Sequence, residues 1–490
     1  MNSSTSETSA APQSASRLPL PVGHPEETRL DRLGIPSALK WGFLGLLVLM
    51  TGVGVESNIL TPHMVAVLGS PEATAASIIT GHSIAVAIGS YLGGALSDLF
   101  GPKRIMALGA GIFLVFQVLF LIALSSGSVE FAAVTYFLRG FGFPLFAFAF
   151  IVWVNISAPP QRRSTAIGWF YVMFTGGLPT LGSLVAIGAI PALGGGGAGG
   201  VGETRAMWMA GLLVLAGFLI AALGVKDPRG TERLAPAGES AAQVLTAGLR
   251  LTFTHRKVAM GFLIRLINTA PQFGMFIVMP VVIADTLGWG QGRWLAMTVA
   301  VYATNILVNA VFGAIGDRWG WRRTVQWFGI TGSAIGLLAW WYVPQLVPAG
   351  SDWGFLLATA AGCMFGCLLA GFVPMGAIMP ALAPDHRGAA MAMYTTAAGG
   401  AIFLGSAVVA VVFTIAQSIG ISDYARNSLT VWVFVGLYFC AFLMIRHLKV
   451  PEDAAKEKYG KLFGRREISI EEEEQVIRQV QAHPEPGDHR

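Results

Sequence analysis

Glu56 and Arg139 each sit inside a long apolar run, TGVGVESNILTPH and FLRGFGFPLF, the second with Pro144 as a candidate kink. At the centre of a bilayer such a residue costs about 2.5–3.5 kcal/mol on insertion scales, so it is kept for function. At about 1.5 Å of rise per residue, the two lie at similar depth. A buried acid–base pair can be opened by one proton. Protonating Glu56 frees Arg139, and the molecule then favours another conformation. The same pair can instead be a static tie between two helices. His82, in a neighbouring run, is a candidate relay to Glu56.

Two stripes offer a place for solute. Arg265, Asn268 and Gln272 recur at i, i+3 and i+7, as do Tyr302, Asn305 and Asn309. These spacings put each set on one helical face. A polar stripe in an apolar helix must face a cavity or a partner. Pro271 is expected to interrupt the first stripe, as in the broken helices that line transport sites. Amides both donate and accept, which suits a polyhydroxy solute. Trp153, Trp169, Tyr171 and Tyr394 are candidates to stack on its C–H faces. The alternative for each stripe is hydrogen bonding between helices. The three charges also leave one positive charge over, which suits a carboxylate.

The elements that position these residues are membrane helices. Of the 490 residues, 54% are hydrophobic and 12% charged. Soluble domains carry about 25% charged residues. Runs of about 20 apolar residues, enough to span a bilayer, occur near 41–64, 74–96, 105–124, 131–156, 164–187, 207–225, 258–287, 294–315, 325–343, 353–381, 389–415 and 429–445. Basic residues crowd alternate loops, among them Lys103, Arg104, Arg162, Arg163, Arg256, Lys257, Arg322, Arg323 and Arg387. The positive-inside rule then places both termini in the cytoplasm. The slight positive charge does not point to nucleic acid. The start carries no signal peptide, and residues 1–38 are expected to be disordered.

Cys363, Cys367 and Cys440 lie in apolar runs without His or carboxylate neighbours, so neither disulfide nor metal is expected. No nucleophile–base constellation appears, which argues against an enzyme, and no cofactor is expected. The glycines of 194–202 lack a following Lys-Ser/Thr and read as a linker. Residues 240–253 read as an amphipathic helix at the membrane face. Ser469 and Glu472 read as a capping box in the charged tail.

One pattern occurs twice. Gly94, Asp98, Gly101 and Arg104 in GGALSDLFGPKR match Gly313, Asp317, Gly320 and Arg323 in GAIGDRWGWRR. Glycine permits close helix packing, and the Asp ends its helix near basic residues or a neighbouring helix end. A second match follows. Pro160, Arg163, Gly176–Gly177 and Gly182–Ser183 correspond to Pro384, Arg387, Gly399–Gly400 and Gly405–Ser406. The chain is therefore a diverged repeat in one orientation: an all-α integral membrane protein of twelve helices in two six-helix halves. The divisions expected are 39–226 and 258–447, a linker at 227–257 and a tail at 448–490.

The doubled loop resembles the signature of the major facilitator superfamily. Residues 33–57, FLRGFGFPLFAF and IRLINTAPQFG resemble its polyol porter branch, the bacterial ribitol and D-arabinitol permeases. The resemblance implies proton-driven import of a pentitol or similar polyol across the inner membrane. The mechanism expected is alternating access, with the signature loops as the cytoplasmic gate. An organic-anion porter is the alternative. One such unit contains a complete site, so a monomer is expected, with solute, protons and bilayer as partners.

Overall fold

The computed structural model describes residues 28–56, 59–195, 199–235, 238 and 240–459. Among these residues every regular element is helical. Eleven helices are long and apolar enough to cross a membrane. A twelfth run, 321–346, is as long but carries Gln326, Trp327, Trp340, Trp341 and Tyr342, which lower its hydropathy.

The first half comprises α1 (Lys40–Val55 and Leu60–Leu68), α2 (Glu72–Phe100), α3 (Pro102–Ser126) and α4 (Val129–Arg139 and Gly142–Ser157). It continues with α5 (Arg163–Thr175, a π-turn at Gly176–Leu181, then Gly182–Ala192) and α6 (Val201–Gly224). The second half comprises α7 (Arg256–Val281), α8 (Gln291–Trp319) and α9 (Trp321–Thr324, Val325–Gly332 and Ser333–Leu346). It closes with α10 (Asp352–Leu369, Ala370–Phe372 and Met375–Ala381), α11 (Arg387–Ile419) and α12 (Asp423–Ile445). A 3₁₀ turn opens α5 at Pro160–Arg162, and another opens α11 at Pro384–His386, as the repeat requires. Within the halves α1 packs on α6 and α7 on α11; between them α5 packs on α8 and α2 on α11.

Three sequence expectations change. Glu56 is not deep inside one helix: α1 stops at Val55 and Glu56 is its C-cap. Gly52 and Gly54 weaken the helix there. The break in α4 falls at Gly140–Phe141, not at Pro144. Pro144 occupies the first turn of the following segment, where no N–H is needed. Pro271 does not interrupt α7, which runs through it unbroken.

The linker forms a helix, Ala241–Thr254, capped by Ser240 and Gln243. It buries Val244, Ala247, Gly248 and Leu251 against the bundle and leaves Phe253 exposed. A last helix, Pro451–Tyr459, follows α12.

Residues 28–38 were expected to be disordered but are placed. Thr28 and Asp31 cap a short helix, Arg29–Arg32, and Trp169 of α5 donates to the Leu33 carbonyl at 2.9 Å. Burial raises the Asp31 carboxyl, but hydrogen bonds from Thr28 and Ser37 outweigh this and hold it below the ordinary carboxylate range. The remaining expectations for 1–27, part of the glycine linker (196–198) and the Ser469–Glu472 box lie outside the described residues.

Candidate functional site

Glu56 and Arg139 stand at helix breaks, and the breaks face each other. Arg139 ends the first segment of α4 and makes an ion pair with Glu56. Both side chains are almost fully buried. Arg139 also donates to the Gln117 carbonyl oxygen from α3. Gln117 Nε2 lies 3.4 Å from Glu56 and donates to the Met207 carbonyl of α6 at 3.0 Å. The guanidinium lies over three rings, with centroids at 4.4 Å (Tyr136), 5.0 Å (Phe113) and 5.4 Å (Phe120). One knot thus ties α1, α3, α4 and α6.

His82 meets this knot at Tyr136. Its Nδ1 is 2.8 Å from the Tyr136 carbonyl, and the two rings stack at 4.0 Å. A second buried pair lies beyond the α1 break: His63 Nδ1 is 2.8 Å from Glu203 of α6, which also accepts from the Gly199 N–H at 3.0 Å.

Arg265 lies close to where the halves meet. It donates to Thr269 one turn on and reaches the Tyr394 hydroxyl. Its guanidinium stacks 4.0 Å over Phe372. Tyr394 bonds Tyr171 of the other half at 2.9 Å. Arg265 is 4% exposed, and among the described residues no carboxylate lies within ion-pair distance of it. Its Nε has no acceptor.

The other stripe residues are largely spent between helices. Asn268 donates to the Gly329 carbonyl of α9 at 2.5 Å, and Asn305 to the Gly366 carbonyl of α10 at 2.8 Å. Asn309 bonds Asn305 at 3.4 Å. Gln272 bonds the Tyr302 hydroxyl, and these two with Asn305, Phe276 and Trp340 line a narrow crevice inside the second half. A larger groove, between α2 and α4, is mostly apolar and includes none of the stripe residues in its lining.

The two signature loops meet the opposite half in matching ways. Asp98 Oδ2 accepts the Ala389 N–H at the start of α11, at 3.0 Å. Asp317 accepts the Ser164 and Thr165 N–H groups at the start of α5, at 3.1 and 2.7 Å, and the Thr165 hydroxyl. Each carboxylate therefore caps a helix N-terminus across the seam, the favoured place for an anion. Gly94 and Gly313 permit this approach. A Cβ on Gly94 would meet Ala392 at 2.8 Å, and one on Gly313 would meet the Ser164 carbonyl at 2.6 Å. Gly101 and Gly320 turn the chain at φ 81° and 115°, where other residues are strained. Arg104 is exposed, and neither it nor Arg323 forms an ion pair among the described residues. The carboxylates of this seam work through helix ends rather than through those arginines.

The tail completes the seam. Glu452 pairs with Arg163 of the first half and lies 3.7 Å from Arg387 of the second. Asp453 caps α9 through the Trp321 and Arg322 N–H groups, at 2.7 and 3.0 Å. Lys456 lies 3.9 Å over the Trp321 ring and donates to the Pro160 carbonyl at 2.9 Å. Sequence reasoning found the charges because charge in an apolar run is conspicuous. It missed Gln117, Glu203 and the tail contacts, which have no such contrast.

Two repeated six-helix halves, buried charges and a seam joined by matching helix caps are the architecture of a membrane transporter. The chain belongs to the Major Facilitator Superfamily, whose description matches residues 42–312 and 294–483. It is 33% identical to the α-ketoglutarate permease of Bacillus subtilis (strain 168) over 433 residues, 88% of this chain and 94% of the relative. It is 30% identical to the D-arabinitol transporter of Klebsiella pneumoniae over 431 residues, 87% and 96% of the two chains. Among solved structures, a proton:xylose symporter superposes with a TM-score of 0.64 at 17% identity, covering 87% of this chain and 98% of that one. That likeness establishes the fold.

Proposed function

We propose that this transporter carries a small carboxylate into the cell together with a proton. The observation that carries the reading is Arg265, a buried guanidinium beside the seam with an open Nε and no carboxylate partner among the described residues. A buried cation is costly unless paired, and a substrate carboxylate supplies the missing charge in bidentate geometry. Phe372 and Tyr394 fix the guanidinium plane. Glu56 takes the proton: it is a buried intramembrane carboxylate at the α1 break, and protonating it releases its partner Arg139.

With basic loops in the cytoplasm, the sealed seam is the cytoplasmic gate and solute enters from outside. Solute binding at Arg265 and proton binding at Glu56 favour rocking of the halves, which breaks the Asp98 and Asp317 caps. One chain holds every residue this cycle needs, consistent with a monomer. The polyol reading rests on the Gln272–Tyr302–Asn305 crevice and on the kinship with pentitol transporters.

One recording separates the two. Energy-depleted cells overexpressing the protein receive 2-oxoglutarate, ribitol, D-arabinitol or mannitol while external pH is followed. Alkalinisation on 2-oxoglutarate, lost in Arg265→Gln and in Glu56→Gln, is expected. Alkalinisation on a polyol alone, unchanged in Arg265→Gln, overturns the carboxylate reading and moves the site to the crevice.

A further inference from the structure

We infer that Gln117 is a positioning residue: it holds Arg139 while Glu56 is protonated, and so makes the buried pair reversible. The inference rests on the reading that Glu56 carries the coupled proton.

The difficulty it resolves is energetic. Removing one partner of a buried ion pair strands the other charge, which is strongly unfavourable. A proton arriving at Glu56 does just that to Arg139. Without a second acceptor the pair would stay shut, and no proton would cycle.

Gln117 is built to be that acceptor. Its Oε1 already accepts from Arg139 in the paired state, so the guanidinium need not travel to find it. Its Nε2 is anchored on the Met207 carbonyl of α6, which fixes which end of the amide faces Arg139. The side chain is 1% exposed, so water does not substitute for it. The rings of Tyr136, Phe113 and Phe120 add sequence-neutral cation–π support on the remaining faces. The amide is uncharged at every pH, so it supports Arg139 without competing for the proton.

Two substitutions bracket the role. Gln117→Leu removes the second acceptor and holds the pair shut. Gln117→Glu gives Arg139 a second carboxylate, so a proton taken up by either one leaves the guanidinium paired with the other. Gln117→Asn keeps the amide one methylene short. The readout needs no solute. Ser90→Cys, placed in a background lacking Cys363, Cys367 and Cys440, reports opening of the seam, because Ser90 is buried there against Thr395. Its maleimide labelling is timed at pH 8 and pH 5.5 in membranes, and each rate is divided by that of the same thiol unfolded in denaturant at the same pH, which removes the change in thiolate fraction.

With Gln117 present, the labelling rate is expected to change by about threefold or more between the two pH values, as a shifted population requires. Both Gln117→Leu and Gln117→Glu flatten that dependence, and Gln117→Asn retains part of it. A pH response that survives in Leu and Glu, with both proteins labelled to completion in denaturant, overturns the role of Gln117 and leaves the proton reading intact. A flat response with Gln117 present overturns the proton reading, and the inference with it.

Discussion

At the scale of single residues, the price of burial decides what each charge requires. Glu203 is nearly buried and has two partners, the His63 ring and the Gly199 N–H. His63→Ala leaves that carboxylate with one neutral donor. A stranded buried partner costs roughly 3–5 kcal/mol, whereas replacing both partners by apolar groups is often close to neutral. His63→Leu with Glu203→Leu is therefore expected to be more stable than His63→Ala alone. Thermal unfolding in detergent checks this, and a double variant less stable than the single one would contradict it. The same arithmetic explains what was legible in the sequence. Glu56, Arg139 and Arg265 stand out because each charge breaks an apolar run. Gln117 does not, since a lone amide in α3 reads equally well as a helix-to-helix bond. Glu203 is next to a glycine-rich stretch, and nothing local distinguishes it from a loop acid.

At the scale of elements, prolines misled and glycines did not. Pro144 and Pro271 read as kinks, yet the α4 break falls at Gly140 and α7 is unbroken. A proline's effect depends on whether its turn needs the missing N–H, which the sequence alone does not state. The repeat, by contrast, was legible because Pro160 and Pro384, like Asp98 and Asp317, recur at nearly one offset. The tail helix was not, because its contacts are long-range. Pro451–Tyr459 joins both halves through Glu452, which reaches Arg163 and Arg387. Glu452→Ala cuts that bridge without touching either membrane half. Couplings of this kind are worth about 1–3 kcal/mol, or roughly 5- to 150-fold. The Ser90→Cys labelling rate is expected to rise by at least the lower figure, and an unchanged rate would mean that the tail merely rests on the seam.

At the scale of the molecule, the two Asp caps test whether the halves move as rigid bodies. Asp98 holds the start of α11, and Asp317 holds the start of α5. They stand at equivalent places in opposite halves, so each caps a helix of the half to which it does not belong. If one rocking motion opens the seam, both caps break in the same step. Their contributions to the closed state then add as free energies, and their effects on the open population multiply. Asp98→Asn and Asp317→Asn keep the shape of the side chain and remove its charge. Each is expected to raise Ser90→Cys labelling and to slow transport while the protein still reaches the membrane. The larger effect is expected from Asp317→Asn, which also weakens bonds from Thr165 and Trp321. The double variant is expected to show the product of the two single increases. An effect no larger than the stronger single variant would mean that one cap already fails when the other is lost, and that the seam yields at one end before the halves rock.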